Sequence, residues 1–500
     1  IDLSGLEFDP SLAEAIPATI ARKYEILPVG REGAKLKIAI SDPSNIFALD
    51  DLKFLTGSNI QLFLASDQDL KTALDKHYSI SETICNVLED IKNLEVDVVR
   101  PEEDLDEANL ELAAAEAPVV KLTNLILMDA IKRGASDIHF ENYDRAFRVR
   151  YRIDGVLYEI MNPPVKLNRA IISRIKIMSN LNIAERRLPQ DGRLKLRFGQ
   201  GQEMDFRVSS LPTLFGEKVV LRLLEKSALR VNLDLLGFEA DDLRTFREAI
   251  HKPYGMILVT GPTGSGKTTT LYSALSELNK ATQNISTAED PVEMYMAGIN
   301  QVQIHEEIGL SFANALRAFL RQDPDIIMVG EIRDRDTAEI SIKAALTGHL
   351  VLSTLHTNDA PNTVTRLLDM GVEPFLVSSS LHLVVAQRLV RKICSKCKRE
   401  IDLPLENLQE FETGSWEGAL YGGAGCPECN FSGYRGRVAI YEVLPFGEAL
   451  KELVFERASA AAIKKKACAL GMKTLRESGI AKVRSGITTL EEVFRVTERD

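Results

Sequence analysis

The run Gly261-Pro262-Thr263-Gly264-Ser265-Gly266-Lys267-Thr268 follows the pattern G-x-x-x-x-G-K-T, and that pattern carries a definite chemistry. Its glycines let a loop wrap tightly, so that backbone N–H groups point at phosphate oxygens. The Lys267 ammonium reaches β- and γ-phosphates, and the Thr268 hydroxyl helps to hold Mg2+. The surroundings are those the chemistry needs. Met256 to Val259 is an apolar run that predicts a buried strand, and Thr269 to Leu278 predicts a helix, with Thr269 closing the binding loop. A glycine-rich turn with an incidental lysine is the bland alternative, and the complete pattern in a strand–loop–helix context argues against it. The loop implies a nucleoside triphosphate.

Further groups suit the same substrate. Asp325-Ile-Ile-Met-Val-Gly330-Glu331 predicts a buried strand ending in a carboxylate. Such strand ends commonly supply an Asp for the metal and a Glu for the attacking water. Gly330 stands at the Asp position, leaving Glu331. A substitute carboxylate is available in Ala288-Glu289-Asp290-Pro291-Val292-Glu293, where Glu289 and Glu293 are the candidates and Asp290, before a proline, is the structural one. His356, near the end of the run Thr347–Asn358 that predicts another strand, is placed to sense a γ-phosphate or to relay its presence by hydrogen bonding. His349, at that strand's start, is equally a structural histidine. Arg207, Arg222, Arg317, Arg321 and Arg333 are candidates for neutralising phosphoryl charge, and spacing does not choose among them. Separately, Cys394-x-x-Cys397 and Cys426-x-x-Cys429 are separated by 28 residues. Two such knuckles suit a closed, structural Zn2+ site.

The elements that must position these groups fall into segments. Residues 1–80 read as a small α/β unit, with a strand at Lys35–Ile40 and short helices over Asp50–Leu55 and Asp67–His77. Residues 81–117 read as an acidic linker, because Glu89–Glu116 holds eleven acidic residues against two basic ones. Residues 118–230 read as an antiparallel α/β domain. In it Phe147–Ile153 alternates apolar and arginine residues, and Asp154-Gly155 predicts a hairpin turn. Residues 231–390 alternate strands and helices, as a mostly parallel sheet requires. Residues 391–440 carry the four cysteines, and 441–500 read as short helices. Five hundred residues with 45% apolar content can build several cores. A net charge of −11 argues against a broad nucleic-acid-binding surface, although a basic channel would still permit a translocase. No apolar stretch is long enough to span a bilayer, no signal peptide is visible, and six cysteines do not make a disulfide scaffold. The chain begins at Ile1, so the expectation is that an upstream segment is missing.

Taken together, the phosphate loop, the acidic box at 288–293, the strand ending at Glu331, the box from Thr347 to Asn358, and the four cysteines resemble the secretion ATPases of type IV pilus and type II secretion systems. Arg133-Gly-Ala-Ser-Asp-Ile-His-Phe-Glu141 and Leu188-Pro-Gln-Asp-Gly-Arg193 belong to the same resemblance, which covers nearly the whole chain. It implies a RecA-like ATPase core preceded by a PAS-like domain, a small N-terminal α/β domain and a four-cysteine zinc-binding insertion. It also implies a homohexamer at the cytoplasmic face of the inner membrane, turning over ATP with Mg2+ and moving a membrane platform protein. By resemblance Glu331 positions the attacking water, Lys267 and Thr268 hold phosphate and metal, and Glu289 supports metal or water. Arg207 and Arg222 close onto the nucleotide and His356 couples, while Arg317, Arg321 and Arg333 transfer less well. The extended N-terminal part and the cysteines resemble assembly motors rather than retraction motors, pilus assembly first and type II secretion second. A nucleotide-gated scaffold is the non-enzymatic reading. Residues 1–80 resemble the later part of a domain that binds cyclic di-GMP in some relatives, but its Arg-Leu-Gly-led motif is not found here.

Overall fold

The computed structural model describes residues 21, 26–32, 35–41, 59–66, 69–70, 73, 97–98, 117–198, 202–224, 232–401 and 419–498. The helix expected over Asp50–Leu55, most of that over Asp67–His77 and most of the acidic linker lie outside them. The chain divides into two compact units, residues 1–224 and 225–500.

In the first unit, β1 (Ile26–Glu32), β2 (Lys35–Ile40) and β3 (Asn59–Leu64) form a small sheet, β1 antiparallel and β3 parallel to the central β2. A second, antiparallel sheet contains β4 (Asp97–Val98), β5 (Ala135–Asn142), β6 (Phe147–Ile153), β7 (Val156–Met161), β8 (Gln190–Phe198), β9 (Gln202–Thr213) and β10 (Gly216–Leu224) in the order β4-β8-β9-β10-β5-β6-β7. Asp97 and Val98 thus pair with Arg197 and Leu196; the acidic segment read as linker contributes an edge strand at that point. Strict alternation along β6 seats Phe147, Val149 and Tyr151 in the core, under the helices Ala117–Lys132 and Asn168–Met178. The Tyr151 hydroxyl donates to the carbonyl of Ile126 at 2.7 Å, so the ring is buried without an orphaned polar tip. Burying each such aromatic contributes roughly 2–3 kcal/mol. Asp154 and Gly155 both take positive φ, 49° and 87°, which is the geometry a two-residue hairpin turn demands.

The second unit is built on β11 (Gly255–Thr260), β12 (Ile285–Glu289), β13 (Asn300–Gln303), β14 (Ile326–Val329), β15 (Leu350–Leu355), β16 (Leu381–Ile393) and, beyond the two strands of the cysteine module, β19 (Tyr434–Pro445). Their order is β13-β12-β14-β15-β11-β16-β19, parallel throughout except for the β16–β19 pair. Every residue of β11 is buried. Met256 and Leu258 face one core and Ile257 and Val259 the other, because a sheet covered by helices on both faces needs apolar residues at consecutive positions. The cysteine module, with β17 (Lys398–Ile401) and β18 (Leu420–Gly423), is inserted between β16 and β19. The boundaries drawn from sequence at residues 390 and 440 therefore fall inside strands of the core sheet. The ladder runs through them: Arg391 pairs with Arg437, and Val390 with Val438.

Candidate active site and cysteine cluster

Three adjacent strands, β14, β15 and β11, deliver Glu331, His356 and the 261–268 loop to one edge of the sheet. All three groups lie just past the carboxyl ends of parallel strands, where open α/β sheets bind ligands. Gly261, Gly264 and Gly266 have φ of 146°, 78° and 90°, a backbone that L side chains rarely adopt. At Gly261 space is also closed, since a Cβ would lie 2.5 Å from the carbonyl oxygen of Gln387. Gly266 leads into the helix Lys267–Leu278, whose amino end faces the loop. Lys267 Nζ folds back to donate to the carbonyls of Gly261 and Pro262, at 2.8 and 3.1 Å. Burial pushes its ammonium down to about 8; the negative Glu331 pulls the other way, and the positive Arg388 adds to the depression. Ser265 Oγ is buried without a hydrogen-bond partner. A cradle with a buried cation whose charge burial opposes and an orphaned buried hydroxyl fits an anionic phosphate.

Glu331 meets His356 through Oε2 and Nε2 at 3.2 Å, and Arg333 donates to its other oxygen. Arg333 also lies 3.8 Å from Asp290. The acidic box divides. Glu289 is 3% exposed, accepting from the hydroxyls of Tyr272 and Thr287 (2.6 Å for the latter) and from Gln301 Nε2 (3.2 Å). Glu293 is exposed, and its backbone N–H rather than its carboxylate meets Tyr272. Since Tyr272 sits on the phosphate-loop helix, Glu289 grips that helix from within. His349 bonds the carbonyl of Ala344 at 2.9 Å, at the opposite end of β15 from the site, so it serves the local turn. Arg317 contacts Asn314 Oδ1 at 3.0 Å and Arg321 the carbonyl of Arg317 at 2.7 Å, both exposed.

Arg207 and Arg222 lie directly across from one another on β9 and β10, and Arg193 on β8 pairs with Arg207 on the other side. Arg222 Nε is 2.9 Å from Asp137, and Arg152 reaches the same carboxylate at 3.5 Å. The sheet thereby aligns three arginines that sequence separates, and Arg193 is the one that spacing alone did not single out. Two further residues escaped the sequence reading. Gln387 Nε2 donates to the carbonyl of Ser265 at 2.7 Å while its Oε1 accepts from Thr270 at 2.8 Å. Arg388 donates to the carbonyl of Asn358 at 2.7 Å. No motif flags them, because their partners lie 30 to 122 positions away.

The four cysteines converge. Sγ separations are 3.8 Å for Cys394–Cys426, 3.8 Å for Cys397–Cys429 and 3.7 Å for Cys426–Cys429, and all four atoms lie within 4.8 Å of one another. A tetrahedron with metal–sulfur bonds of about 2.3 Å has sulfurs about 3.8 Å apart, so the cluster fits a closed four-thiolate site. It docks on the last two helices, through Leu420 against Val483, Leu490 and Val493.

The geometry agrees with what the chain resembles. The profile of the type II/IV secretion system proteins matches residues 112–495, and that of the MshEN domain residues 1–84. The type IV pilus assembly ATPase PilB of Myxococcus xanthus is 57% identical, over 100% of this chain and 89% of the relative. PilB of Pseudomonas aeruginosa is 47% identical over 99% and 88%. The type II secretion system ATPase E of Vibrio cholerae is 46% identical over 97% and 96%. Among solved structures, the pilus retraction motor PilT with bound ADP superposes with a TM-score of 0.50 at 28% identity, covering 75% of this chain and 96% of that one. The DotB ATPase of Yersinia pseudotuberculosis, at 20% identity and a TM-score of 0.56 over 80% and 96%, shares the fold. The chain belongs to the type II/IV secretion system protein family.

Proposed function

We propose that this chain is the ATP-hydrolysing motor of type IV pilus assembly. The observation that carries the reading is the meeting of Glu331 and His356 beside a phosphate loop, in a chain whose whole length matches pilus assembly ATPases. In this reading the loop amides and Lys267 receive the β- and γ-phosphates. Lys267, released from the carbonyls of Gly261 and Pro262, gains the counter-charge that burial denies it. Thr268 would hold Mg2+, which supplies charge neutralisation on the phosphates. Glu331 orients the attacking water, held in place by Arg333 and His356, so His356 reports on the same carboxylate that does the chemistry. Glu289 acts at one remove, fixing the phosphate-loop helix through Tyr272. Glu293 contributes at most from the rim.

Arg207 and Arg222 supply cationic charge to the transferring phosphoryl group from the antiparallel domain. In this reading the arginines of one chain serve the loop of a neighbouring chain, so activity would depend on assembly into a homohexamer. That ring would lie peripherally on the cytoplasmic side of the inner membrane and drive a platform protein. Cys394, Cys397, Cys426 and Cys429 would hold Zn2+ in a structural role, because four thiolates leave no position for a reacting water. Type II secretion is the second reading, favoured by the 46% identity to the Vibrio relative. A nucleic-acid substrate and a cyclic di-GMP site are not part of the proposal. ATPase activity measured against protein concentration, with particle size followed by light scattering, tests the reading. Activity should rise steeply as rings form, and full activity in a monomer would remove the arginine argument.

A further inference from the structure

Strand β16 leaves its ladder with β11 at the pair Thr260–Ala386, so its next two residues emerge beside the phosphate loop. Gln387 is 1% exposed and holds that loop at two points, the carbonyl of Ser265 and the hydroxyl of Thr270 on the following helix. Arg388 turns toward the other loop. Its Nη1 donates to the carbonyl of Gln387 at 3.1 Å and its Nη2 to that of Asn358 at 2.7 Å, two residues beyond His356. The same Nη1 would lie 3.1 Å from a methyl group built on Gly261, so the guanidinium lies against the start of the phosphate loop. Only 9% of Arg388 is exposed, and among the described residues it makes no ion pair. Its hydrogen-bond partners are neutral oxygens. Asp359, Glu442 and Glu498 attract it through space without pairing with it directly, so its burial is only partly compensated, and phosphate in the adjacent loop would supply a direct counter-charge. A second tie runs in parallel: Thr260, the last residue of β11, bonds Thr357 hydroxyl to hydroxyl at 2.6 Å and accepts from the Thr357 N–H at 3.0 Å.

We propose that Gln387 and Arg388 are positioning residues that transmit occupancy of the phosphate loop to the loop carrying His356. The inference rests on the reading of 261–268 as a nucleotide site. Occupancy draws the guanidinium toward the loop, and its bond to Asn358 carries the change to His356 and hence to Glu331. A purely structural Arg388 would hold the two loops together equally with and without nucleotide.

The test is hydrogen exchange of residues 356–360 in the intact chain, with and without ADP and magnesium, for wild type, Arg388→Met and Gln387→Met. In wild type ADP should slow exchange there. In Arg388→Met that slowing should vanish, with ADP binding weakened several-fold but retained and kcat for ATP down about tenfold. Arg388→Lys keeps the charge but cannot bridge both carbonyls, so it should still bind ADP and lose the slowing; it serves if the Met variant does not fold. Slowing that persists in the variants would overturn the relay. Loss of ADP binding in a normally melting variant would also overturn it, making Arg388 a direct phosphate contact. Wild type that neither hydrolyses ATP nor responds to ADP would instead defeat the underlying reading.

Discussion

Two groups of buried charges, one in each unit, are handled in opposite ways. In the antiparallel sheet Glu141 is buried but surrounded by Arg148 at 3.1 Å, Arg150 at 2.8 Å and Lys218 at 3.1 Å. Burial alone would raise its carboxyl, yet the hydrogen bonds from Arg150, Lys218 and Arg148 overcome that and hold it at about 2. At three groups of the nucleotide core burial wins. Lys267 falls to about 8, Arg388 is lowered, and Glu442 on β19 is pushed up to about 7 against the opposing N–H of Ala360. A scaffold satisfies its charges internally. A site left with unmatched charge is waiting for a ligand or a moving part to supply the difference.

The cysteine cluster is a third case, and removing the zinc proposed there is expected to have the largest effect. Structural zinc contributes on the order of 10 kcal/mol to local folding. Chelation, or Cys394→Ser with Cys397→Ser, should abolish exchange protection across the described residues between 394 and 433. The 255–278 segment should keep its protection, and a single joint melting of both segments would contradict this independence. Next in size is Glu331→Gln, which should cut kcat about a hundredfold or more while nucleotide still binds; equal turnover would remove Glu331 from the chemistry.

On the matched side, Glu141→Gln leaves three cations around a neutral amide and should cost on the order of 2 kcal/mol at pH 7 in denaturant melts. Its pH dependence has a definite sign. Glu141 is lower in the folded than in the unfolded chain, so its contribution is present above about 4.5 and fades as pH falls toward about 2. Glu442 runs the other way. With a raised folded value, its contribution is complete below about 4.5 and is lost as pH rises through about 7. The smallest effect is therefore expected for Glu442→Gln: roughly 1 kcal/mol of relief at pH 8 and little change at pH 5, because the amide keeps an acceptor for the Ala360 N–H. A variant equally destabilised at both pH values would show that Glu442 is held by geometry rather than by charge.

Legibility followed the range of the interactions. The phosphate loop, the carboxylate after β14 and the alternation of Phe147–Ile153 were readable because each is set by neighbours a few residues away. His356 was readable as a strand-end group, but its contact with Glu331 depends on β14 and β15 being adjacent. Glu289 and Glu293 are four residues apart and look equivalent in sequence, yet one is inside under Tyr272 and the other on the surface. Residues 390 and 440 lie within β16 and β19, long strands that run on into the cysteine module, and an antiparallel ladder leaves no composition change where it ends.

By itself the sequence determined the local chemistry: glycines where backbone must approach phosphate, thiols in two knuckles, and apolar runs where a sheet is covered on both faces. These follow from bond geometry and burial, which act residue by residue. Tertiary structure alone decided which charges would be answered. It gathered Arg193, Arg207 and Arg222 into a row, gave Glu141 three cations in contact, and left Arg388 with neutral oxygens as its hydrogen-bond partners. Electrostatic partners are chosen by the register of strands far apart in the chain, and no short stretch of sequence contains that information.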